Sequence, residues 1–119
     1  SIVLFESHFK RNFVHVRDVV DAFVMCINGT VPEGVFNLGC DQANMSKLEL
    51  CHKIKEQVPN LFIAESQLNE DPDKRNYVVS SEKLMKTGWY AARDLDYGIE
   101  ELLRGYPTIA ANNNKFTNL

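Results

Sequence analysis

The chain begins with two short stretches whose apolar positions predict β-strands. Residues 2–5 form an unbroken apolar run. Residues 11–16 alternate polar and apolar side chains, which is the period of a strand, so that Arg11, Phe13 and His15 share one face. The second predicted strand therefore carries an arginine and a histidine on the same face, and it leads directly into the next element.

The stretch that follows predicts a helix that is apolar on nearly every side. Asp18 suits the N-cap because its carboxylate accepts hydrogen bonds from free backbone N–H groups, and Asn28-Gly29 is a common C-terminal signal. Of the nine residues from 19 to 27, only Asp21 is polar. Such a helix should be covered on nearly every side, which is more cover than a small lone domain supplies.

Further strands and helices are predicted along the rest of the chain. Short apolar stretches predict strands at residues 34–39, 61–64 and 77–79. Helices are predicted between Ser46 and Pro59, over residues 81–87, and from Asp94 to the residue before Gly105. The order of these elements predicts an α/β fold.

Two of these helices carry clear start signals. Ser46, followed three residues later by Glu49, has the spacing of a capping box. Asp94 is placed as the N-cap of the last helix, whose predicted buried residues are Leu95, Ile99, Leu102 and Leu103. Residues 108–119 show no period and are expected to form a flexible tail.

Composition restricts the class of protein but not its function. A length of 119 residues fits one domain, and 45% hydrophobic with 24% charged residues is ordinary for a globular protein. No apolar run approaches the roughly 20 residues of a membrane-spanning helix, and no secretory signal is visible. The net charge of −3 argues against nucleic-acid binding. Three cysteines without a C-x-x-C pair argue against disulfides and zinc and favour a cytoplasmic location.

Few residues carry recognisable chemistry. No glycine-rich phosphate loop occurs, and the three histidines are scattered, so no metal site is predicted. A guanidinium at the position of Arg11 can grip a phosphate with two N–H groups, but spacing alone favours a plain surface arginine. His15 is more typical of a structural histidine. Arg75 lies in the long charged connection at residues 66–76, where binding groups often occur, yet by itself it is typical of a solvated charge run.

Three segments, in order along the chain, resemble segments of one enzyme family. Residues 11–23 read RNFVHVRDVVDAF and are similar to the family pattern R-D-F-I-H-V-D-D-V-A-x-A. Residues 34–50 read GVFNLGCDQANMSKLEL and are similar to x-Y-N-V-G-x-G-x-x-x-S-L-x-E-L. Residues 71–103 resemble the closing pattern D-x-S-K-x-x-x-x-L-G-W-x-P-x-x-S-L-x-E-G-L. The family is the extended short-chain dehydrogenase/reductases, which are NAD-dependent nucleotide-sugar epimerases and dehydratases.

The resemblance implies a piece of a larger enzyme. In the family, the amino-terminal part holds a glycine-rich NAD loop and a Tyr-x-x-x-Lys catalytic pair. This chain has neither, since none of its four tyrosines is followed by a lysine four positions later. The resemblance is therefore to the carboxy-terminal portion alone. It implies that residues 1–40 are the last strand–helix–strand of a Rossmann-type NAD-binding fold, and that residues 41–107 are the small α/β lobe that binds the nucleotide-sugar.

The resemblance also implies substrate-binding residues. Arg11 matches the family arginine that binds the pyrophosphate of the substrate, and Arg75 is a displaced candidate for a second phosphate-binding arginine. Phe5 lies near the position where family members pack an apolar or aromatic side chain beside the base. The sequence departs from the family at Arg17, which replaces the first acid of V-D-D-V. No catalytic, cofactor-binding or metal-binding residue is expected in this chain.

The function implied is the substrate-binding part of an NAD- or NADP-dependent nucleotide-sugar epimerase or dehydratase. Alone, the chain is expected to be inactive and to bind no cofactor. Its implied partners are the nucleotide-sugar, the missing amino-terminal Rossmann portion and, in a homodimer, a second copy. The alternative is a non-catalytic module derived from the same lobe. Because the helix at residues 19–27 would pack against an absent sheet, the isolated piece is expected to be weakly stable or to self-associate.

Overall fold

The described part of the chain, residues 1–67 and 74–111 of a computed structural model, consists of short strands and helices. The strands are β1 (Ile2–Phe5), β2 (Lys10–Asn12), β3 (Asn44–Ser46) and β4 (Ile63–Ser66). The helices are α1 (Val16–Ile27), α2 (Lys47–Gln57), α3 (Glu82–Met85) and α4 (Leu95–Ala111), and a 3-10 turn covers Asp41–Ala43. The predicted α/β class is confirmed.

The strands pair in two small sheets that are linked through α2. β1 and β4 are parallel, with Ile2 opposite Ile63. β2 and β3 are antiparallel, with Arg11 opposite Met45. Because α2 follows β3 directly and leads to β4, it joins the two sheets along the chain.

The start of α2 follows from local sequence. The Oγ atom of Ser46 accepts a hydrogen bond from the backbone N–H of Glu49 at 3.1 Å, and the Glu49 carboxylate accepts from the backbone N–H of Ser46 at 3.5 Å. The predicted capping box is therefore present. The predicted strand at residues 61–64 is shifted by two residues, since β4 is Ile63–Ser66.

The start of α1 differs from the prediction. The predicted strand at residues 11–16 ends at Asn12, and the helix begins at Val16. His15, not Asp18, is the N-cap, because its Nδ1 atom accepts the backbone N–H of Arg17 at 3.0 Å. Asp18 lies in the first turn of the helix, where its side chain is fully buried and forms an ion pair.

Two predicted strands do not form. Residues 34–39 and 77–79 contain no strand, because their backbone groups bond to single partners instead of a ladder. The backbone N–H and C=O of Gly39 both bond to the Oγ atom of Ser81, at 2.8 and 2.9 Å. The backbone N–H of Val79 bonds to the Asn44 side chain at 2.8 Å.

The last helix is longer than predicted. Asp94 caps α4 as expected, since its carboxylate accepts the backbone N–H of Tyr97 at 2.8 Å. The helix does not stop before Gly105, and it continues through Pro107 to Ala111, so residues 108–111 of the predicted flexible tail are helical. Residues 112–119 lie outside the described residues. Ile99 is buried as predicted, but Leu103 is exposed and Leu102 is 69% exposed.

One cluster of buried core residues lies under one side of α1. It consists of Ala22, Val31, Leu84 and Trp89, with Met25, Phe36, Leu38 and Ala91 packed against it. The described part of the chain does not cover α1 on every side, since Phe23 is 64% and Ile27 is 86% exposed, and the helix thus lacks the cover that its sequence calls for. In the parts of the chain that the structure describes, no helix is long and apolar enough to cross a bilayer.

Candidate functional site

The structure places the two arginines predicted from the sequence next to each other. Arg11 lies in the middle of β2 and is half-buried, whereas Arg75 lies in the exposed segment before α3. The Nη1 atom of Arg11 donates hydrogen bonds to the carbonyl oxygen of Arg75 and to that of Lys10, the latter at 2.8 Å. The Arg11 side chain is thus tied to the segment that carries Arg75.

An aromatic ring lies against both guanidinium groups. The Cζ atom of Arg11 is 4.8 Å from the centroid of the Tyr77 ring, and the Cζ atom of Arg75 is 5.3 Å from the same centroid. Both distances lie within the range of cation–π attraction. We refer to Arg11, Tyr77 and Arg75 as the arginine–tyrosine cluster. It concentrates two positive charges in a chain whose net charge is −3.

Backbone hydrogen bonds bring the two arginine segments together. The backbone N–H of Tyr77 donates to the carbonyl oxygen of Lys10 at 2.9 Å, and the backbone N–H of Lys10 donates to Oδ1 of Asn76 at 2.8 Å. Both bonds join the backbone of Lys10, which precedes Arg11, to the two residues that follow Arg75. The segments that carry Arg11 and Arg75 are therefore joined beside the arginines, and not by the arginine side chains alone.

A polar network holds β2 from the interior. The Nδ2 atom of Asn12 donates to the carbonyl oxygen of Cys40 at 2.7 Å, and Oδ1 of Asn12 accepts the backbone N–H of Cys40 at 3.0 Å. Nδ2 of Asn12 also reaches Oδ1 of Asn44 at 3.0 Å. Because the Asn12 amide pairs with Cys40 as a peptide group would, it joins β2 to residues 39–46 and keeps Arg11 on the outer face of the strand.

Gly39 is required by this network. A Cβ atom at residue 39 would lie 2.5 Å from Oδ1 of Asn12 and 2.9 Å from a methyl carbon of Val79. Such contacts are too short for any side chain, and the amide that they would displace is the one that positions β2. The glycine thus allows the close approach of two segments beside the arginine–tyrosine cluster.

Phe5, the third predicted binding residue, lies in the other small sheet. It is the last residue of β1 and is half-buried, and its carbonyl oxygen accepts a hydrogen bond from Nζ of Lys47 at 2.8 Å. The backbone of Phe5 is thereby linked to the first turn of α2. Among the predicted binding residues, the structure brings Arg11 and Arg75 together, whereas Phe5 contacts α2 through its carbonyl oxygen and lies opposite Ser66 of β4.

A cleft of about 340 Å³ lies between the start of α1 and the helices α2 and α4. His15 lines it, and its Nε2 atom is 2.9 Å from Oε1 of Glu101. Because Nδ1 of His15 accepts the N–H of Arg17, the proton of the neutral ring is on Nε2 and is donated to Glu101. This hydrogen bond, with the nearby charge of Arg17, lowers the pKa of Glu101. Both ring nitrogens are used, which fits the structural role favoured from the sequence.

A buried ion pair fixes α1 to the loop before α4. Nη1 of Arg93 donates to Oδ1 of Asp18 at 2.8 Å and to Oδ2 of Asp21 at 2.9 Å. The carbonyl oxygen of Asp18 accepts the indole N–H of Trp89 at 2.9 Å. Hydrogen bonding to Asp21 and Asp18 raises the pKa of Arg93, so the guanidinium group stays protonated. This group is satisfied within the chain and serves packing rather than ligand binding.

Tyr77 is the functional candidate that the sequence analysis missed. The sequence places it in a predicted strand, and only its spacing of two residues from Arg75 indicates a shared face.

Among residues 1–67 and 74–111, no group of three or more histidine, cysteine, aspartate and glutamate side chains is placed to hold a metal ion.

The fold of this chain is similar to part of several solved structures. No protein-family model matches the chain. Among solved structures, dTDP-glucose 4,6-dehydratase from Bacillus anthracis str. Ames in complex with NAD matches 91% of this chain with 19% identity and a TM-score of 0.76. RMD from Pseudomonas aeruginosa complexed with NADPH matches 91% with 18% identity and a TM-score of 0.71. ADP-L-glycero-D-manno-heptose-6-epimerase from Helicobacter pylori matches 93% with 26% identity and a TM-score of 0.68.

The similarity covers only part of each matched protein. This chain covers 35%, 36% and 33% of those three chains, which is about a third of each. The similarity nevertheless spans nearly all of the present chain. The resemblance predicted from the sequence is thus confirmed, and the chain has the fold of part of the extended short-chain dehydrogenase/reductases.

Proposed function

We propose that this chain is the substrate-binding, carboxy-terminal part of an NAD(P)-dependent nucleotide-sugar epimerase or dehydratase, and that it holds the nucleotide diphosphate. The observation that carries this proposal is the arginine–tyrosine cluster, in which two guanidinium groups lie against one ring. Two of the matched structures are of a dTDP-glucose dehydratase and an ADP-heptose epimerase, and the substrate names of both contain a nucleoside diphosphate. The binding of that diphosphate is the part of the activity that we assign to this chain.

The chemistry of the cluster suits a diphosphate. A guanidinium is always charged near neutral pH and presents several N–H donors in one plane, which matches the oxygen atoms of a phosphate. Two such groups, each next to an exposed surface, can bind two neighbouring phosphates. Holding the diphosphate fixes the position of the attached sugar, and this orientation is what a hydride-transfer site requires of its substrate.

The exposed side of α1 supports the proposal that more chain belongs to the functional protein. A groove of about 490 Å³ runs along this helix and is lined mainly by apolar side chains, among them Val19, Phe23 and Phe36. Fully burying each such side chain is worth roughly 1.5–3 kcal/mol. We propose that the missing amino-terminal Rossmann portion covers this side of α1.

The cofactor belongs to that missing portion. A dinucleotide pyrophosphate is held by a glycine-rich turn after a strand, but β1 is followed by Glu6-Ser7 and β4 by Gln67-Leu68. The residues of this chain therefore do not fit NAD. When bound by the rest of the protein, the nicotinamide would supply hydride transfer. The part played by this chain is to bind and orient the substrate.

A nucleotide titration tests the proposal. The natural protein that contains this chain is titrated by calorimetry with the 5′-diphosphates of uridine, guanosine, thymidine and adenosine, alone and as sugar conjugates. We expect at least one of them to bind. Arg11→Ala should weaken that binding roughly ten- to a hundredfold, because charge-assisted hydrogen bonds to the phosphate are lost.

Lys10→Ala is the matched control. It removes the same charge from the neighbouring position of β2, but strand alternation directs its side chain to the other face. We expect it to change the affinity less than about threefold. Equal affinities of the wild-type protein and Arg11→Ala, or binding of none of the nucleotides, would refute the proposal.

The coding sequence separates the enzyme from a non-catalytic module. A glycine-rich strand–turn–helix and a Tyr-x-x-x-Lys motif encoded upstream of Ser1 would support the enzyme. A start codon directly before Ser1 would support the module instead. This observation needs no protein and does not depend on whether the isolated chain folds.

A further inference from the structure

The ring of Tyr77 contacts both arginines of the candidate site, and the proposed function does not by itself explain this contact. We infer that Tyr77 is a positioning residue, which holds Arg11 and Arg75 side by side and so makes the site prefer nucleoside diphosphates to monophosphates. The inference rests on the proposed function, since it deepens the role of the same site. It concerns the ring of Tyr77 and not a contact of that residue with the substrate.

The position of the ring is fixed by its own backbone. The N–H of Tyr77 donates to the carbonyl oxygen of Lys10 at 2.9 Å, and the preceding residue, Asn76, accepts the N–H of Lys10 at 2.8 Å. Tyr77 is therefore attached to β2 one residue before Arg11. The residue is 38% exposed, and its ring contacts the guanidinium groups of Arg11 and Arg75.

Two like charges do not remain close together without a reason. The guanidinium groups of Arg11 and Arg75 repel each other. Nη1 of Arg11 is held by the carbonyl oxygens of Lys10 and Arg75, and the ring of Tyr77 adds a contact that both guanidinium groups share. The electron-rich face of an aromatic ring attracts a guanidinium. Since both Cζ atoms lie within 5.3 Å of one centroid, the same ring restricts both side chains.

This restriction has a consequence for selectivity. With two guanidinium groups held near each other, a diphosphate can engage both at once, whereas a monophosphate offers only one phosphate group. Loss of the ring should remove the contact that the two guanidinium groups share and leave them less well placed for one diphosphate, which costs the second contact more than the first. The ring thus contributes to the difference in affinity between the two nucleotides, and not only to the affinity for either one.

The geometry assigns this role to the ring and not to the hydroxyl group. Both distances are measured to the ring centroid, and they fit a cation–π contact. Phenylalanine keeps such a face, whereas leucine fills a similar volume without it. These two substitutions therefore separate the positioning role from simple packing.

The experiment measures the ratio of two dissociation constants. In the natural protein that contains this chain, the monophosphate and diphosphate of whichever nucleoside binds most tightly are titrated into wild type, Tyr77→Phe and Tyr77→Leu. Tyr77→Leu should reduce the preference for the diphosphate about three- to tenfold, and Tyr77→Phe should retain it. Tyr106→Leu, which removes an exposed ring from α4, should leave the preference unchanged.

The outcomes separate this inference from the proposed function. If Tyr77 served only folding, Tyr77→Leu would lower the fraction of protein that binds either nucleotide, but the ratio would stay constant and the inference would be overturned. The inference also fails if Tyr77→Phe loses the preference as fully as Tyr77→Leu. If Arg11→Ala weakens binding while both Tyr77 variants behave as wild type, the proposed function stands and only the positioning role is wrong. If Arg11→Ala has no effect, both are wrong.

Discussion

The two sides of α1 differ in how completely the chain surrounds them. On one side, Asp18 is 0% exposed and Ala22 is buried, and the side chains of Trp89 and Arg93 lie against the first turn. On the opposite side, four apolar residues at helical spacing are exposed, namely Val16, Val20, Phe23 and Ile27. We refer to the side with Asp18 and Ala22, which the chain covers, as the finished face of α1. The exposed side with Val16, Val20, Phe23 and Ile27 is its unfinished face.

The finished face is held by polar groups whose partners are all present. Within residues 1–67 and 74–107, no buried side-chain nitrogen or oxygen lacks a hydrogen-bond partner. The unfinished face has only apolar groups, which need contact area and not specific partners. The described part of the chain therefore satisfies one face of α1 and leaves the other exposed, and our proposal assigns the cover of that exposed face to further protein.

The largest expected effect tests the finished face. Asp18→Ala removes a fully buried carboxylate that pairs with Arg93 at 2.8 Å. Breaking a buried pair by deleting one partner should lower the free energy of unfolding by about 3 kcal/mol. Urea denaturation followed by far-UV circular dichroism measures the change.

Asp21→Ala is the control for this substitution. Asp21 binds the same guanidinium at 2.9 Å, but its carboxylate is exposed. The loss should therefore stay below about 1 kcal/mol. Equal losses for the two variants would show that burial of Asp18 contributes nothing, and that the finished face of α1 is no more secure than the surface.

A second prediction tests the unfinished face. Phe23→Ala removes an exposed apolar side chain from the isolated chain, where it should change the free energy of unfolding by less than about 0.5 kcal/mol and reduce self-association. In the longer protein that we propose, the same side chain is covered, and its removal should cost about 2 kcal/mol. Urea denaturation of both proteins, with sedimentation velocity for association, gives the comparison.

Tyr90→Ala serves as its control. Tyr90 is also exposed, but it follows Trp89 on the finished side of α1. Its removal should cost less than about 0.5 kcal/mol in the short and the long protein alike. A cost of Phe23→Ala that is the same in both proteins would mean that nothing covers the groove.

The same contrast explains how much of the fold could be predicted from the sequence. The capping box at Ser46 and Glu49 is local, so its spacing alone located the start of α2. Residues 34–39 have the composition of a buried strand, but a strand forms only beside a partner strand, which the described chain does not supply there. The prediction failed where the structure depends on groups outside the segment.

The candidate site shows the same limit. Arg11 and Arg75 were predicted because the resemblance marked them, not because spacing did. Tyr77 could not be found in this way, since its contact with both guanidinium groups depends on a hydrogen bond to Lys10, which is distant in sequence. His15 likewise became the N-cap of α1 because Asp18 is used in the ion pair with Arg93.

The smallest expected effect is a change in pH dependence at the cleft beside the finished face. The hydrogen bond from His15 and the charge of Arg17 lower the pKa of Glu101 in the folded protein from its ordinary value of 4.5. Because the folded pKa is the lower one, this group stabilises the protein above pH 4.5, and the contribution is lost as the pH falls through the folded value. Glu101→Gln should therefore be less stable than wild type at pH 7, and the difference in the free energy of unfolding, measured by urea denaturation, should shrink as the pH is lowered below 4.5.

Glu100→Gln is the control for this substitution. The Glu100 carboxylate lies 3.9 Å from Arg104 on the exposed side of α4, so its loss should change the free energy of unfolding less than Glu101→Gln does at pH 7. If the difference between wild type and Glu101→Gln stays constant as the pH falls from 7 to well below 4.5, the contacts of Glu101 with His15 and Arg17 do not stabilise the packing of α4 on α1.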